Sequence, residues 1–182
     1  MAIRKRTYAI LVVGILCFFA FGWWYVKFGG TVREAPGDIA KKEIVYKMYA
    51  DYKKDFPGVE DISPETALKL LRDDKVVFVD TRKPAEMRVS MIPNAVTEEA
   101  FESNPQKYTD KTVVAYCTIS YRSGKFVEKM MKKRIRIYNL EGGILAWVLE
   151  GGNVYDGHGA TKRIHVYGKK WNYPAEGYTS VW

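Results

Sequence analysis

The chain has 182 residues, of which 47% are hydrophobic and 27% charged, and this composition excludes an intrinsically disordered protein. The length allows one domain of ordinary size with an appendage. The formal net charge is +8, but half of it lies in the first 28 residues. The +4 left for the remainder is an ordinary solubility charge, so we expect no nucleic-acid partner.

The first predicted element is an apolar segment over residues 7–28, which follows a basic tail over residues 1–6. Its only charge is Lys27, near its end. As a helix at about 1.5 Å per residue, the segment would span about 33 Å, enough for a hydrocarbon core of about 30 Å. A cleaved signal peptide is the competing interpretation, but the segment is long and no Ala-x-Ala site follows it. We predict a retained transmembrane helix, that is, a signal-anchor.

The orientation of this anchor depends on the basic residues beside it. Both flanks carry such residues, so their counts alone do not decide the topology. Arg4, Lys5 and Arg6 lie next to the apolar run, and no acidic residue offsets them. We therefore favour an inside N-terminus and a domain on the extracytoplasmic, periplasmic side. The cytoplasmic face is the alternative.

Helices and strands alternate along the rest of the chain. A linker with an amphipathic helix is predicted over residues 29–60, and Asp38 is predicted to cap the start of this helix. Ser63 is predicted to cap a second helix. The further helices are predicted at residues 84–87, 123–133 and 144–150, and buried strands at residues 76–80, around 95, 112–116 and 135–140. This alternation predicts an α/β fold with a mostly parallel sheet covered on both faces.

Residues 153–182 form a C-terminal extension that is rich in glycine and aromatic residues. Aromatic side chains at such density usually bury against a domain, so we predict a packed extension with a strand at residues 163–167. A ligand-binding or partner-binding segment is the alternative. The extension contains both histidines, His158 and His165, and nothing in the sequence places either near a candidate site.

Cys117 stands between the predicted strand at residues 112–116 and a predicted helix. A thiol in this position faces free backbone N–H groups and the positive end of the helix dipole, which favour a thiolate and other anions. Ligands of parallel sheets also bind at the carboxyl ends of the strands. We interpret Cys117 as a nucleophile in an anion-binding loop.

The only other cysteine, Cys17, lies in the apolar segment and has no way to meet Cys117. The sequence therefore offers no disulfide framework, no Cys-x-x-Cys motif and no zinc-ligand spacing.

Three stretches of the chain resemble the rhodanese family. The first is Asp80-Thr81-Arg82-Lys83-Pro84-Ala85-Glu86 with residues 92–95, the second runs from Cys117 to Ser123, and the third covers residues 139–147. They occur in the family's order within residues 61–152, which we identify as a rhodanese-like domain, a membrane-anchored member of the family. The resemblance implies a central parallel sheet of about five strands with helices on both faces.

The resemblance also implies a sulfurtransferase activity. Cys117 would take a sulfane sulfur as a persulfide from thiosulfate, a polysulfide or another persulfide, and pass it to a thiol or cyanide acceptor. The N–H groups of the loop would stabilise the persulfide anion, without a metal or organic cofactor. This active-site loop comprises Thr118, Ile119, Ser120, Tyr121, Arg122 and Ser123.

Supporting roles are expected for Asp80, Arg82 and Glu86. Asp80 and Arg82 are interpreted as a structural pair at a strand end rather than as catalytic residues. Arg122 has two open roles, since its guanidinium suits either a substrate anion or a neighbouring carboxylate such as Glu86 or Asp80.

The loop departs from the family's pattern at several points. Ser120 stands where the family commonly has a glycine, and Thr118 stands where thiosulfate-active members often have a basic residue. Fewer cations weaken the case for thiosulfate as the donor, and a non-catalytic rhodanese-like scaffold or binding module is the alternative function. Related phosphatases carry one more residue than the four between Cys117 and Arg122, so phosphatase activity is a second, disfavoured enzymatic hypothesis.

Overall fold

A five-stranded, fully parallel sheet organises residues 36–182, the part of the chain that the computed structural model describes. The strands lie in the order β1-β5-β4-β2-β3, which places β4 at the centre. Their bounds are β1 (Asp61–Ile62), β2 (Val76–Asp80), β3 (Ala95–Thr97), β4 (Thr112–Tyr116) and β5 (Tyr138–Leu140). The predicted α/β class and the implied five-stranded sheet are confirmed.

Six helices accompany this sheet in the described residues. They are α1 (Asp38–Lys53), α2 (Pro64–Arg72), α3 (Pro84–Met87), α4 (Glu98–Ser103), α5 (Tyr121–Lys132) and α6 (Gly143–Leu149), with 3-10 turns at Pro105–Tyr108 and Lys169–Trp171. Ser63 caps α2 as predicted, because its side chain accepts the N–H of Thr66. The predicted cap of α1 is wrong: Gly37 holds that position, and the Asp38 carboxylate instead accepts the backbone N–H of Glu176.

The strands divide the interior into two cores. Side chains alternate along β2, so Phe78 faces one core and Val79 faces the other. The first core contains Trp147 of α6, whose ring meets that of Phe78 edge-on at 5.2 Å between centroids. The second contains Phe126 of α5. Helices therefore cover both faces, as the sequence predicts.

Two predicted boundaries are wrong, the start of α5 and the start of the strand that follows it. The predicted strand at residues 135–140 is formed only from Tyr138, and the predicted helix at residues 123–133 begins two residues earlier, at Tyr121. The strand is shorter because the preceding residues close the helix. Arg134 adopts a left-handed φ of 59°, and Ile135 donates its N–H to the carbonyl of Met130.

The C-terminal extension packs against the domain. It forms a hairpin of β6 (Val154–Asp156) and β7 (Gly159–Thr161) and a parallel pair of β8 (Arg163–His165) and β9 (Thr179–Val181). The predicted strand at residues 163–167 thus ends at His165. The buried side chains of the extension, Val154, Ile164, Val166 and Ala175, belong to the core that contains Trp147.

Within residues 36–182, no helix is both long enough and apolar enough to cross a membrane. The predicted anchor at residues 7–28 and the basic tail at residues 1–6 lie outside the described residues. The domain boundaries proposed from the sequence stay predictions.

Candidate active site

The loop from Cys117 to Ser123 joins the central strand β4 to the first turn of α5. Cys117 follows β4 directly and is 1% exposed. Within residues 36–182, the N–H groups of residues 118–123 have no hydrogen-bond acceptor, as expected for a turn that enters a helix. The dipole of α5, a helix of 12 residues, adds partial positive charge at the same end. A run of free N–H donors therefore follows the thiol.

The carbonyl groups of the loop are held by α6. The N–H of Ile144 donates to the Cys117 carbonyl at 2.9 Å, and the N–H of Leu145 donates to the Thr118 carbonyl at 3.3 Å. Gly143 makes this contact possible. Its φ is +61°, and a Cβ atom there would lie 2.4 Å from the Cys117 carbonyl oxygen. Gly143 of the third motif thus lets the N–H groups of α6 approach and hold the backbone at the nucleophile.

Ser120 occupies the left-handed region, with φ 68° and ψ 19°. The position therefore has the conformation that favours glycine, as the resemblance implies. Two buried hydrogen bonds hold the serine there: its Oγ donates to the Leu140 carbonyl, and its own carbonyl accepts from Asn139 Nδ2 at 3.2 Å. Asn139 also accepts the hydroxyl of Ser123 at 2.7 Å, so it connects both ends of the turn.

We expect Ser120→Ala to lower the free energy of unfolding by about 1–3 kcal/mol, because it removes a buried hydrogen bond and keeps the left-handed φ. Ser120→Gly removes the same bond but relieves the backbone, so it is expected to be more stable than the alanine variant by about 1–2 kcal/mol. Denaturant unfolding of the three proteins measures both differences. Equal stability of the two variants would contradict the assigned strain.

Arg122 pairs with the carboxylate of Glu86. Carboxylate pairing is one of the two roles that the sequence leaves open for this guanidinium. Nη1 and Nη2 donate to the two carboxylate oxygens at 2.7 and 2.8 Å, and Nη2 also reaches Thr118 Oγ1 at 3.3 Å. Burial opposes the Arg122 charge, but the bonds to Glu86 and the attraction of Cys117 outweigh it and raise the Arg122 pKa. The guanidinium therefore holds the loop against α3 while it stays beside the thiol.

Glu86 is 2% exposed and remains a carboxylate because of its partners. Burial by itself would raise the pKa of Glu86, but the Arg122 hydrogen bonds and the Lys83 N–H lower it below its ordinary value. A carboxyl whose folded pKa is depressed stabilises the fold above its unfolded pKa of about 4.3 and loses that contribution as the pH falls through the folded value.

We expect Glu86→Gln to destabilise the fold by about 1–3 kcal/mol at neutral pH, because charged hydrogen bonds are lost. The difference from the wild type should be constant above the unfolded pKa of about 4.3 and shrink as the pH falls below it, because the unfolded chain then takes up a proton while the folded carboxylate still resists it. Urea unfolding at a series of pH values measures it. A difference that is unchanged at pH 3 would show that the carboxylate charge is not its source.

Asp80 and Arg82 form a buried ion pair, as the sequence predicts. Arg82 Nε and Nη2 donate to the carboxylate at 2.9 and 2.7 Å, and the Tyr116 hydroxyl donates to it at 2.5 Å. Arg82 also donates to the Ser90 carbonyl at 2.5 Å. These bonds join the segments before and after α3 to the end of β4, so the pair supports the strand that delivers Cys117.

A cavity of about 380 Å³ opens at Cys117. Five residues from the predicted site line it: Cys117, Thr118, Ile119, Tyr121 and Arg122. The other three lining residues are Tyr52 of α1 and Tyr167 and Trp171 of the C-terminal extension. None of these three was predicted as a site residue. The density of aromatics in the extension was a signal for Tyr167 and Trp171, and no sequence signal marked Tyr52.

The remaining predicted site residues do not line this cavity. Ser120 and Ser123 are buried in the hydrogen bonds described above, and Asp80, Arg82 and Glu86 lie behind the loop. Burial lowers the pKa of His165, and the charges of Glu86, Arg82 and Arg122 act on it. No cluster of three or more His, Cys, Asp or Glu side chains in residues 36–182 is arranged to hold a metal ion.

Comparison with known proteins supports the assignment of the three motifs. The profile of the Rhodanese-like domain family matches residues 63–150. A sulfurtransferase of Allochromatium vinosum is 34% identical over 99 residues, which are 51% of this chain and 92% of that protein.

Two further relatives are longer than the matched region. An uncharacterized protein of Synechocystis is 35% identical over 94 residues, which are 50% of this chain and 52% of that protein. A tRNA uridine(34) hydroxylase of Ruegeria pomeroyi is 29% identical over 49% of this chain and 33% of its own length. The matched region thus spans half of the Synechocystis protein and a third of the hydroxylase.

Proposed function

Because the chain belongs to the rhodanese-like domain family, we propose that it is a sulfurtransferase that carries a sulfane sulfur on Cys117 as a persulfide. One observation carries the proposal: the run of free N–H groups that follows Cys117 at the start of α5. Preorganised N–H donors stabilise an anion without reorganisation, and both the thiolate and the terminal persulfide sulfur are anions. The likeness to the sulfurtransferase of Allochromatium vinosum supports the same activity.

The proposed cycle has two transfers. The Cys117 thiolate attacks the outer sulfur of the donor, and the donor's remaining part leaves with the electron pair of the broken bond. A thiol or cyanide acceptor then takes the sulfur from Cys117. Cys117 is the only cysteine in residues 36–182, so an external acceptor must remove the sulfur.

The charges at the loop favour a polysulfide or persulfide donor over thiosulfate. Arg122 is already paired with Glu86, and the two residues that follow Cys117, Thr118 and Ile119, are uncharged. The loop therefore offers less uncompensated positive charge than a dianion such as thiosulfate needs, whereas a monoanionic donor needs less.

Intact mass measurement of the full-length chain tests the proposal. After treatment with polysulfide or thiosulfate, we expect the mass of one added sulfur atom in the wild type and in Cys17→Ser, and no addition in Cys117→Ser. Sulfur transfer to cyanide should follow the same pattern. A wild type without the adduct, or a Cys117→Ser variant that transfers sulfur at the wild-type rate, would overturn the assignment.

A partner-binding module without catalysis is the second candidate. The observation in its favour is the burial of Cys117, which is 1% exposed although it borders the cavity. The mass experiment separates the two functions, because a module of this kind would leave Cys117 unmodified by every donor.

We also propose that residues 7–28 anchor the protein in a membrane with the domain on the extracytoplasmic side. The support is the length and apolarity of that segment, together with the basic tail before it. Protease added to spheroplasts, in which the periplasmic face of the inner membrane is accessible, should digest the domain. Digestion only after the spheroplasts are lysed would place the domain on the cytoplasmic face, and release of the chain by alkaline carbonate would contradict the anchor.

A further inference from the structure

The C-terminal extension contributes an aromatic wall to the cavity at Cys117. We call Tyr167 and Trp171 the tail pair: their rings meet edge-on with centroids 5.2 Å apart. The Tyr167 ring also lies against Arg122, whose Cζ is 5.0 Å from the ring centroid. The tail pair therefore reaches the active-site loop itself, although it lies about fifty residues further along the chain.

The tail pair is held in place on both sides. Before it, Val166 is fully buried and donates its N–H to the Val181 carbonyl at 2.8 Å. After it, Ala175 is buried, and the N–H of Glu176 donates to the Asp38 carboxylate at 2.9 Å. Tyr167 has a left-handed φ of 67°, a conformation that non-glycine residues seldom adopt. The surrounding contacts thus fix the aromatic rings at the cavity.

The rest of the cavity wall is mainly apolar. Tyr52 and Tyr121 face each other with ring centroids 5.3 Å apart, and Ile119 lines the cavity beside them. The only charged residue in the lining, Arg122, is paired with Glu86. The Nε1–H of Trp171 is buried and has no acceptor within residues 36–182.

The volume of the cavity and the residues that line it indicate which class of ligand fits. A cavity of about 380 Å³ falls in the range of sites for organic molecules, about 300–1,000 Å³. A small inorganic donor leaves most of the aromatic surface uncovered. An organic group attached to the transferable sulfur covers this surface and gains the aromatic contacts.

We propose that the tail pair makes the site selective for low-molecular-weight organic persulfides, R–S–SH, in which R is an aromatic or apolar group. The proposal rests on the proposed function, since it names the donor class of the same site. R packs on Tyr167 and Trp171, and this contact directs the outer sulfur to Cys117. The extension is thus a specificity element of the site.

The transfer step balances without an added oxidant or reductant. The Cys117 thiolate attacks the outer sulfur of R–S–SH. A bond forms between Cys117 Sγ and that sulfur, and the sulfur–sulfur bond of the donor breaks. Its electron pair leaves with R–S⁻, which takes up a proton to give the thiol R–SH. When that proton comes from the outer sulfur, Cys117 is left as a persulfide anion; when it comes from water, Cys117 is left as a protonated persulfide.

Two persulfide donors that differ only in R, measured in separate reactions, test the proposal. The full-length chain is mixed with benzyl hydropersulfide or 2-hydroxyethyl hydropersulfide, and the rate constant for sulfur addition to Cys117 is measured by quenched-flow mass spectrometry. In the wild type we expect the benzyl donor to react about tenfold faster, the value of one favourable aromatic contact. Trp171→Ala and Tyr167→Asn should each reduce this ratio several-fold. Asparagine is chosen because it tolerates the left-handed φ.

Tyr155→Ala is the matched control. Tyr155 is an aromatic residue of the same extension, but it lines a separate groove with Met87 and Met91. It should keep the wild-type ratio. A wild-type ratio near one, or an unchanged ratio in both tail-pair variants, would overturn the selectivity while sulfur addition itself upholds the sulfurtransferase function. Failure of every donor to modify Cys117 would overturn both.

Discussion

Asp80→Asn is expected to lower the free energy of unfolding by about 3–5 kcal/mol, the effect of leaving one member of a buried ion pair without its counter-charge. The side chains of Asp80 and Arg82 are both fully buried. Burial opposes the charge of Arg82, and the carboxylate of Asp80 keeps the Arg82 pKa raised. Asparagine has nearly the same shape, so the variant removes charge without creating a cavity.

The hydrogen-bond acceptors left to the buried guanidinium are neutral, and Glu86 acts on it only through its charge. Arg82 Nη1 already lacks an acceptor within residues 36–182, and its remaining contacts are the Ser90 carbonyl and the face of the Tyr116 ring. Asp51→Asn is the control, because it makes the same chemical change in an exposed pair with Lys54 and should leave the unfolding midpoint unchanged. Comparable midpoints for the two variants would show that the buried pair does not stabilise the fold.

Gly143→Ala is expected to destabilise the fold by about 2–5 kcal/mol and to slow sulfur addition to Cys117. Alanine is strained in the left-handed backbone conformation, and its Cβ must displace the carbonyls of Cys117 and Thr118. These carbonyls are held by the N–H groups of α6, so the displacement shifts the active-site loop directly. Denaturant unfolding gives the first effect, and mass spectrometry of Cys117 after donor treatment gives the second.

Gly151→Ala separates backbone strain from the contact with the loop. Gly151 has a φ of +86°, but nothing lies within 4 Å of the position of a Cβ atom. We expect this variant to lose about 1–2 kcal/mol and to react with donors as the wild type does. The assigned role of Gly143 is wrong if both variants lose the same stability and both keep the wild-type reaction.

The parts of the fold that follow local rules were predictable from the sequence. β2 and β4 are continuous apolar runs because both of their faces are buried, and Ser63 with Pro64 gives a standard helix start. The active-site loop was predictable for the same reason, since a strand, a cysteine and a helix follow one another directly. The Asp80–Arg82 pair also lies within three residues of sequence.

The missed features depend on contacts between distant segments. β1 has only two residues and exists because it pairs with β5, so no periodicity marks it. The choice of Glu86 over Asp80 as the partner of Arg122 depends on where α3 packs. Tyr167 and Trp171 reach Cys117 only through the fold of the whole extension, and their local sequence indicates burial without saying where.

The positions of two indole rings also give the molecule a built-in optical readout. Trp171 borders the cavity at Cys117, whereas Trp147 is sealed in the core against Phe78. Indole emission depends on the polarity and the quenchers around the ring. A molecule that enters the cavity therefore changes the light emitted by Trp171 while that of Trp147 stays constant, and the signal of Trp147 changes only when the core opens. Once the other three tryptophans, Trp23, Trp24 and Trp182, are replaced by phenylalanine, Trp171 reports occupancy and Trp147 reports unfolding.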